Sequence, residues 1–162
     1  MLLFDEIILF IHLFAATLFV GGSFFMQLVL VPASRRAQSD RLVSSRIIFA
    51  AARRFGVLTN AALIVLVLTA MYNATWYLPG LEVFSGSLRA DLLLIKSSLT
   101  LILIVMVYIH GAYFGRRMAQ YLNSGNTFEL ERIRRIGGYI SLINLALMGA
   151  ILLVATLMQL TP

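Results

Sequence analysis

Cysteine is absent from this chain, and charged residues are scarce. The 162 residues contain no Cys, and Asp, Glu, Lys and Arg together make up only 12% of them. Without cysteine there is no disulfide framework and no thiolate metal site, so iron–sulfur clusters and cysteine zinc sites are excluded. The sequence also shows no phosphate-binding loop and no nucleophile paired with a base, which argues against nucleotide and hydrolase chemistry.

Most residues of the chain are apolar. They account for 60% of the chain, against about 45–50% in soluble domains, and the mean hydropathy is +0.92. A helix that spans a membrane needs about 20 mostly apolar residues. Four runs satisfy this, at about residues 3–31, 55–78, 92–114 and 137–160. The sequence therefore predicts an all-α membrane protein, a single domain (1–162) built as a four-transmembrane-helix bundle.

Arginine is concentrated in two of the three connections. These are Arg35, Arg36, Arg41, Arg46, Arg53 and Arg54 after the first run, and Arg116, Arg117, Arg132, Arg134 and Arg135 after the third. Six plus five gives 11 of the 13 Lys and Arg residues, while the connection between residues 77 and 90 holds only Arg89. The positive-inside rule then predicts cytoplasmic arginine-rich loops and both termini on the outer side of the cell membrane. The lipid bilayer is the expected partner of this multi-pass protein, and nucleic acid is not.

Local signals suggest how the helices end. Pro32 is predicted to close the first helix, and residues 33–54 to continue as an amphipathic cytoplasmic stretch along the inner surface. The polar segment 123–127 is predicted to be a short loop, with Thr127 as a candidate helix cap. Gly21 and Gly22 indicate a place where helices approach closely, or where a flat macrocycle has room.

Three ionisable residues, His12, Lys96 and His110, fall deep within the apolar runs. Such residues are costly in hydrocarbon and usually face the interior of a bundle. Lys96 and His110 are fourteen positions apart, two heptads, and so share one face of the third helix.

Each helix carries a stripe at spacings of three and four that is predicted to face inward. The stripes are His12, Ala16, Phe19, Ser23 and Met26; Asn60, Ile64, Val67 and Met71; Lys96, Thr100, Leu103, Val107 and His110; and Ser141, Asn144, Met148, Ile151, Ala155 and Met158. Depth sorts their polar and methionine residues into two layers. The outer layer is His12, Lys96, Met71 and Met158, and the inner layer is His110, Asn60 and Asn144. Because His12 and His110 differ in depth by roughly 15–20 Å, they are not expected to ligate the same haem.

Structural roles remain open for all of these side chains. A membrane histidine such as His110 or His12 can lock packing through a hydrogen bond between helices. Lys96 can extend its ammonium to the outer headgroups. Methionines, Met26 and Met148 above all, are ordinary core residues.

Several short motifs carry a family resemblance. They are Ile11-His12-Leu13, Phe19-Val20-Gly21-Gly22, Arg53-Arg54-Phe55, Thr69-Ala70-Met71-Tyr72-Asn73-Ala74 and Leu92-Leu93-Leu94-Ile95-Lys96. In this order they resemble the copper-resistance D (CopD-like) membrane domain, most clearly over the first three helices.

The chain is also similar to the HemJ-type protoporphyrinogen oxidases, membrane proteins with a four-helix core that bind b-type haem. The shared features are the His12-Leu13 pair, Lys96 early in the third helix, and Tyr108-Ile109-His110 followed by Gly115-Arg116. This resemblance implies haem b as the cofactor, with His12 as a ligand.

Three functions follow from these features. The first is a b-type haem protein in membrane redox chemistry or electron transfer, with His12, Lys96, Met71 and His110 as candidate cofactor-binding residues. In it Lys96 or Met71 lies opposite His12, or Lys96 pairs with a haem propionate. The second is copper uptake or resistance, with Cu(I) bound by His12, Met71 and Met158, because imidazole and thioether suit that soft ion. The third is a non-catalytic small subunit of a larger membrane complex.

The predicted orientation is open to direct test. Because 11 of 13 basic residues lie in two loops, a reporter fused after Pro162 is expected to be active only when it functions outside the cytoplasm. A fusion within residues 33–54 should show the opposite behaviour. A reporter at Pro162 that works only in the cytoplasm contradicts the orientation.

Overall fold

Helix dominates the computed structural model, which describes residues 2–38, 40–77 and 88–160. The elements are α1 (Leu2–Phe24), a π-helical segment (Phe25–Leu30), α2 (Val31–Ala37), α3 (Arg41–Tyr77), α4 (Leu88–Ser124) and α5 (Thr127–Leu160). Within these residues four helices are long and apolar enough to cross a membrane. The α1–α2 unit forms the first of them. Most of the predicted outer connection, residues 78–87, lies outside the described residues.

The helices are longer than a bilayer requires. Helices α3 and α4 have 37 residues each, or about 55 Å at 1.5 Å per residue, against a hydrocarbon thickness of about 30 Å. The predicted runs 3–31, 92–114 and 137–160 lie within the α1–α2 unit, α4 and α5, and the run 55–78 lies within α3 up to residue 77. The largest extensions are at the arginine-rich end. Residues 41–54 therefore continue directly into the spanning part of α3. Residues 33–37 belong to α2, so the stretch 33–54 is divided between two helices.

Pro32 does not end the first helix, contrary to the prediction. The helix passes through it to Ala37, and the proline lies in the first turn of α2. The π-helical segment precedes it, and the Val31 N–H donates to the Met26 carbonyl, five residues back. A first-turn position tolerates the missing proline N–H, and the wider π turn shifts the hydrogen-bond register just before the ring.

The connection between α4 and α5 is a tight turn. Gly125 has φ +66°, the left-handed conformation that glycine adopts without a steric penalty. The Glu129 N–H donates to the Asn126 side-chain oxygen at 3.2 Å. Asn126 therefore caps α5, one residue before the predicted Thr127. The loop was predicted correctly and the capping residue was not.

The bundle is built from two pairs of helices. Helix α1 packs chiefly on α3, and α4 packs chiefly on α5. One apolar cluster joins the pairs at mid-height and takes side chains from all four spanning helices: Phe19, Ala62, Leu63, Leu103, Leu145 and Met148. This cluster lies between the polar residues near the termini and those near the arginine-rich end.

Much of the molecular surface is apolar. The accessible area is 10847 Å² for 18.0 kDa, whereas a compact soluble protein of that mass exposes about 8,000 Å². Large side chains such as Leu3, Leu68 and Leu101 are more than 60% exposed. A helical bundle with this large accessible area and an apolar exterior is consistent with a multi-pass membrane protein.

Gly22 marks a close contact between α1 and α3, whereas its neighbour Gly21 does not. A Cβ built on Gly22 would collide with Cε2 and Cζ of Phe55, and one on Gly21 would meet nothing within 4 Å in the described part of the chain. This agrees with the prediction of close helix approach and assigns it to one of the two glycines.

These glycines provide a matched pair of variants. Gly22→Ala is expected to destabilise the protein by about 1–3 kcal/mol because the Phe55 ring must move, while Gly21→Ala should be neutral. Unfolding of the purified protein in detergent measures both. Gly22→Ala combined with Phe55→Leu should recover part of the loss. Equal effects at Gly21 and Gly22 would contradict the contact.

Candidate cofactor site

Three of the four predicted stripes lie inside the bundle. Along α1, α4 and α5 every stripe residue is buried or half-buried. His12, Lys96 and His110 are all half-buried, and Asn144 is only 7% exposed. The rule that membrane helices turn ionisable side chains inward holds for each of them.

The stripe predicted for α3 faces outward. Met71 is 68% exposed and Ile64 57%, and Asn60 is exposed as well. The expectation that Met71 points into the bundle is therefore wrong. The inward residues of α3 are Thr59, Ala62, Leu66, Thr69 and Asn73. They also follow spacings of three and four, and the signal that identifies them is the presence of three polar side chains.

His12 is anchored by a hydrogen bond across the α1–α3 interface. Its Nδ1 lies 2.8 Å from the Thr69 hydroxyl oxygen. The same hydroxyl donates to the Val65 carbonyl at 2.6 Å. Thr69 belongs to the segment that resembles the CopD-like domain, but it was not predicted to be a site residue.

The second of these bonds assigns the tautomer of His12. A carbonyl can only accept, so the single hydroxyl hydrogen of Thr69 is committed to Val65. The Thr69 oxygen must then accept from His12, which places the imidazole hydrogen on Nδ1. Nε2 keeps its lone pair, and no residue in the described part of the chain forms a hydrogen bond with it. Histidines that bind metals have this arrangement, with one nitrogen held by a hydrogen bond and the other available as ligand.

Lys96 brings a positive charge to the same site from the other helix pair. Its side chain is half-buried, and its ammonium is close enough to act electrostatically on the His12 ring. The Thr100 hydroxyl donates to the Lys96 carbonyl at 2.8 Å. The pair His12 and Lys96 thus spans the seam between the α1–α3 pair and the α4–α5 pair.

Other polar groups near the C-terminal end of α3 were not predicted to belong to the site. The Tyr72 hydroxyl donates to an Asp5 carboxylate oxygen at 2.8 Å, and the Tyr72 ring stacks edge-on with Phe4 at 5.8 Å. Asn73 is 9% exposed, and its Oδ1 has no hydrogen-bond partner among the described residues. A buried carbonyl without a donor costs free energy and is typical of a functional site.

One of the three candidate copper ligands, Met71, lies away from His12. His12 contacts α3 at Thr69, whereas Met71 lies two residues on, about 200° around the helix, on the exposed face. Met158 is buried in α5, at 5% exposure. No group of three His, Cys, Asp or Glu side chains suited to a metal ion occurs within residues 2–38, 40–77 and 88–160.

His110 lies in a separate and differently built environment. Its ring stacks edge-on with Phe114 at 4.7 Å between centroids. Its Nε2 would be 3.5 Å from a Cβ at Gly137, so the ring packs against the α5 backbone. Lys96 and His110 are fourteen residues apart on α4, about 21 Å along its axis. Lys96 and His110 thus lie at different levels, although Met71 and Asn60 from the predicted layers face outward. Within the described residues, His12 forms a hydrogen bond between helices and His110 forms none.

The His12 site has few groups that can act as ligands. It offers one neutral imidazole nitrogen with its ring held in place, and a lysine that can ligate or pair with a carboxylate. A comparison of the chain with protein-family models, with curated proteins and with solved structures finds no match.

The tautomer of His12 can be measured directly. In protein with ¹⁵N-labelled histidine, His12 is expected to show a protonated Nδ1 and an unprotonated Nε2. Thr69→Val should abolish this preference because it removes the acceptor, and Thr100→Val should leave it unchanged since its hydroxyl bonds to the Lys96 carbonyl. A protonated Nε2 in the wild-type protein would contradict the assignment.

Proposed function

We propose that this chain is an integral membrane protein that binds haem b through His12 and transfers electrons within the membrane. The observation that carries this proposal is the pair of hydrogen bonds at Thr69, which leaves Nε2 of His12 with a free lone pair. A neutral imidazole anchored in this way is the common axial ligand of haem proteins. The motifs shared with the HemJ-type and CopD-like families favour the same position.

The residues of the site have distinct parts in this function. His12 would supply an imidazole nitrogen to the iron, and Thr69 would hold the ring. Lys96 would supply either a second ligand or a positive charge for a propionate. Haem contributes reversible one-electron transfer at its iron, at a potential that depends on ligands and burial. The apolar cluster around Phe19 and Leu103 keeps the inner side of the site dry.

The arginine distribution supports an orientation for this site. With both termini outside and the arginine-rich ends of the helices cytoplasmic, His12 lies in the outer half of the membrane. Electrons would therefore be exchanged near the outer face, with a membrane redox partner or within a larger complex. The broad apolar exterior offers surface for such a partner as well as for lipid.

The proposal predicts different spectra for three variants. His12→Ala is expected to abolish haem retention or to reduce it sharply, because it removes the axial nitrogen. His110→Ala should leave the spectrum largely intact, since its ring lies about 21 Å from the Lys96 level. Lys96→Met should shift the spectrum or the reduction potential. The measurements are the Soret spectrum and the haem-to-protein ratio of each purified variant.

Other outcomes would favour other functions. If His12→Ala keeps its haem and His110→Ala loses it, the centre is at the inner layer and the proposal is wrong. A colourless wild-type protein that carries copper after haem-replete expression would indicate copper handling. A colourless, metal-free protein would indicate the non-catalytic subunit.

A further inference from the structure

A polar cavity lies at the arginine-rich end of the bundle, distant from His12. Its volume is about 270 Å³, and it is lined by Arg35, Gln38, Arg41, Ser44, Glu131 and Arg134. The volume is several times the ~30 Å³ of one liquid water, so a tetrahedral oxyanion fits. The proposed redox function uses none of these residues.

Buried serines hold the cavity walls together. The hydroxyls of Ser34 and Ser44 lie 3.2 Å apart and join α2 to α3. Arg134 donates from Nη1 to the Ser45 hydroxyl at 2.9 Å and joins α5 to α3. Ser44 and Ser45 are the most deeply buried side chains in the described chain, at 2% and 0% exposure. Arginines from three helices are therefore brought together by a rigid polar scaffold.

The charge in the cavity is not balanced. Three guanidinium groups face one carboxylate, a net charge of +2, and Arg35 and Arg41 both repel Arg134. Within the described residues, the ion pair across the cavity joins Arg41 to Glu131 at 3.5 Å, and the Arg41 side chain is 74% exposed. The fold therefore places like charges close together, and a bound anion would offset the repulsion between them.

Arg134 has one hydrogen-bond donor that is not used within the described residues. Its Nε is buried and has no acceptor among the described residues, although its Nη1 is bonded to Ser45. A guanidinium binds a phosphate oxygen pair in a fork of two N–H groups, and arginine is preferred for this reason at phosphate sites. Arg134 lines the cavity, so an oxyanion bound there would offset the charge of its guanidinium.

We propose that this cavity is a binding site for a phosphate group, held by Arg35, Arg41 and Arg134. The same chemistry is present in the headgroup of an anionic lipid and in free inorganic phosphate. The end of the bundle where the cavity lies carries the basic residues that face anionic headgroups. Glu131 opposes binding and lowers the affinity.

Thermal unfolding of the purified full-length protein tests the site. In detergent, inorganic phosphate is expected to raise the Tm above that in chloride of equal ionic strength, in proportion to its occupancy. In nanodiscs, phosphatidylglycerol should raise the Tm above that in phosphatidylcholine. Stabilisation by both probes identifies a general phosphate site. Stabilisation by the lipid alone or by the ion alone supports the site and identifies its source.

Matched variants separate the cavity from diffuse surface charge. Arg41→Gln should weaken phosphate or lipid binding about tenfold, the loss expected for one charge-assisted contact. Arg36→Gln removes the same charge beside Arg35 but outside the cavity lining, and should leave binding unchanged. Glu131→Gln should strengthen binding. Arg134→Gln should abolish binding. If Arg134→Gln unfolds because it loses the hydrogen bond to Ser45, Arg41→Gln still tests the site.

Two results would overturn the proposal. One is the absence of stabilisation by both inorganic phosphate and phosphatidylglycerol. The other is an equal loss of binding in Arg36→Gln and Arg41→Gln, which would assign the effect to overall positive charge. Neither result bears on haem binding at His12, which is read from a different spectrum.

Discussion

Hydrocarbon offers no hydrogen-bond partner, and the organisation of this chain follows from that constraint. Backbone groups inside a membrane must pair within their own segment, which favours helices throughout residues 2–38, 40–77 and 88–160. The first helix continues through Pro32, so its backbone groups stay paired within the segment even at a proline. The ring removes one donor, and a π-helical segment just before it changes the bonding register without ending the helix.

The same constraint decides where polar side chains lie, and it explains which predictions succeeded. Four apolar runs indicated four helices. The cost of ionisable groups in lipid predicted that His12, Lys96 and His110 face inward, and all three are half-buried. The prediction of the inward face of α3 was wrong because two adjacent stripes of this helix have the same spacing of three and four residues. The stripe through Met71 is mostly apolar and faces outward, whereas the stripe through Thr69 and Asn73 is polar and faces inward. In a membrane helix the polar stripe is the better guide to the interior.

Other features depended on contacts between helices, which sequence spacing cannot supply. The Thr69 bond determines which nitrogen of His12 is free, and it exists because α1 packs on α3 in one register. Gly22 has a role and Gly21 does not because only one of them faces the Phe55 ring. The arginines were interpreted from the sequence as a topology signal alone. Their convergence at a cavity depends on buried serines from separate helices.

The apolar cluster at mid-height gives the two polar regions separate physical environments. Phe19, Leu103 and Met148 are each 4% exposed and fill the interior between them. A charge bound among the arginines would therefore be separated from His12 by packed apolar side chains at one end and screened by solvent at the other. Occupation of the cavity should stabilise the helix ends that the serines join without altering the electronic properties of the His12 site. The proposed redox centre in one half of the bundle and the proposed phosphate site in the other could in this way function independently.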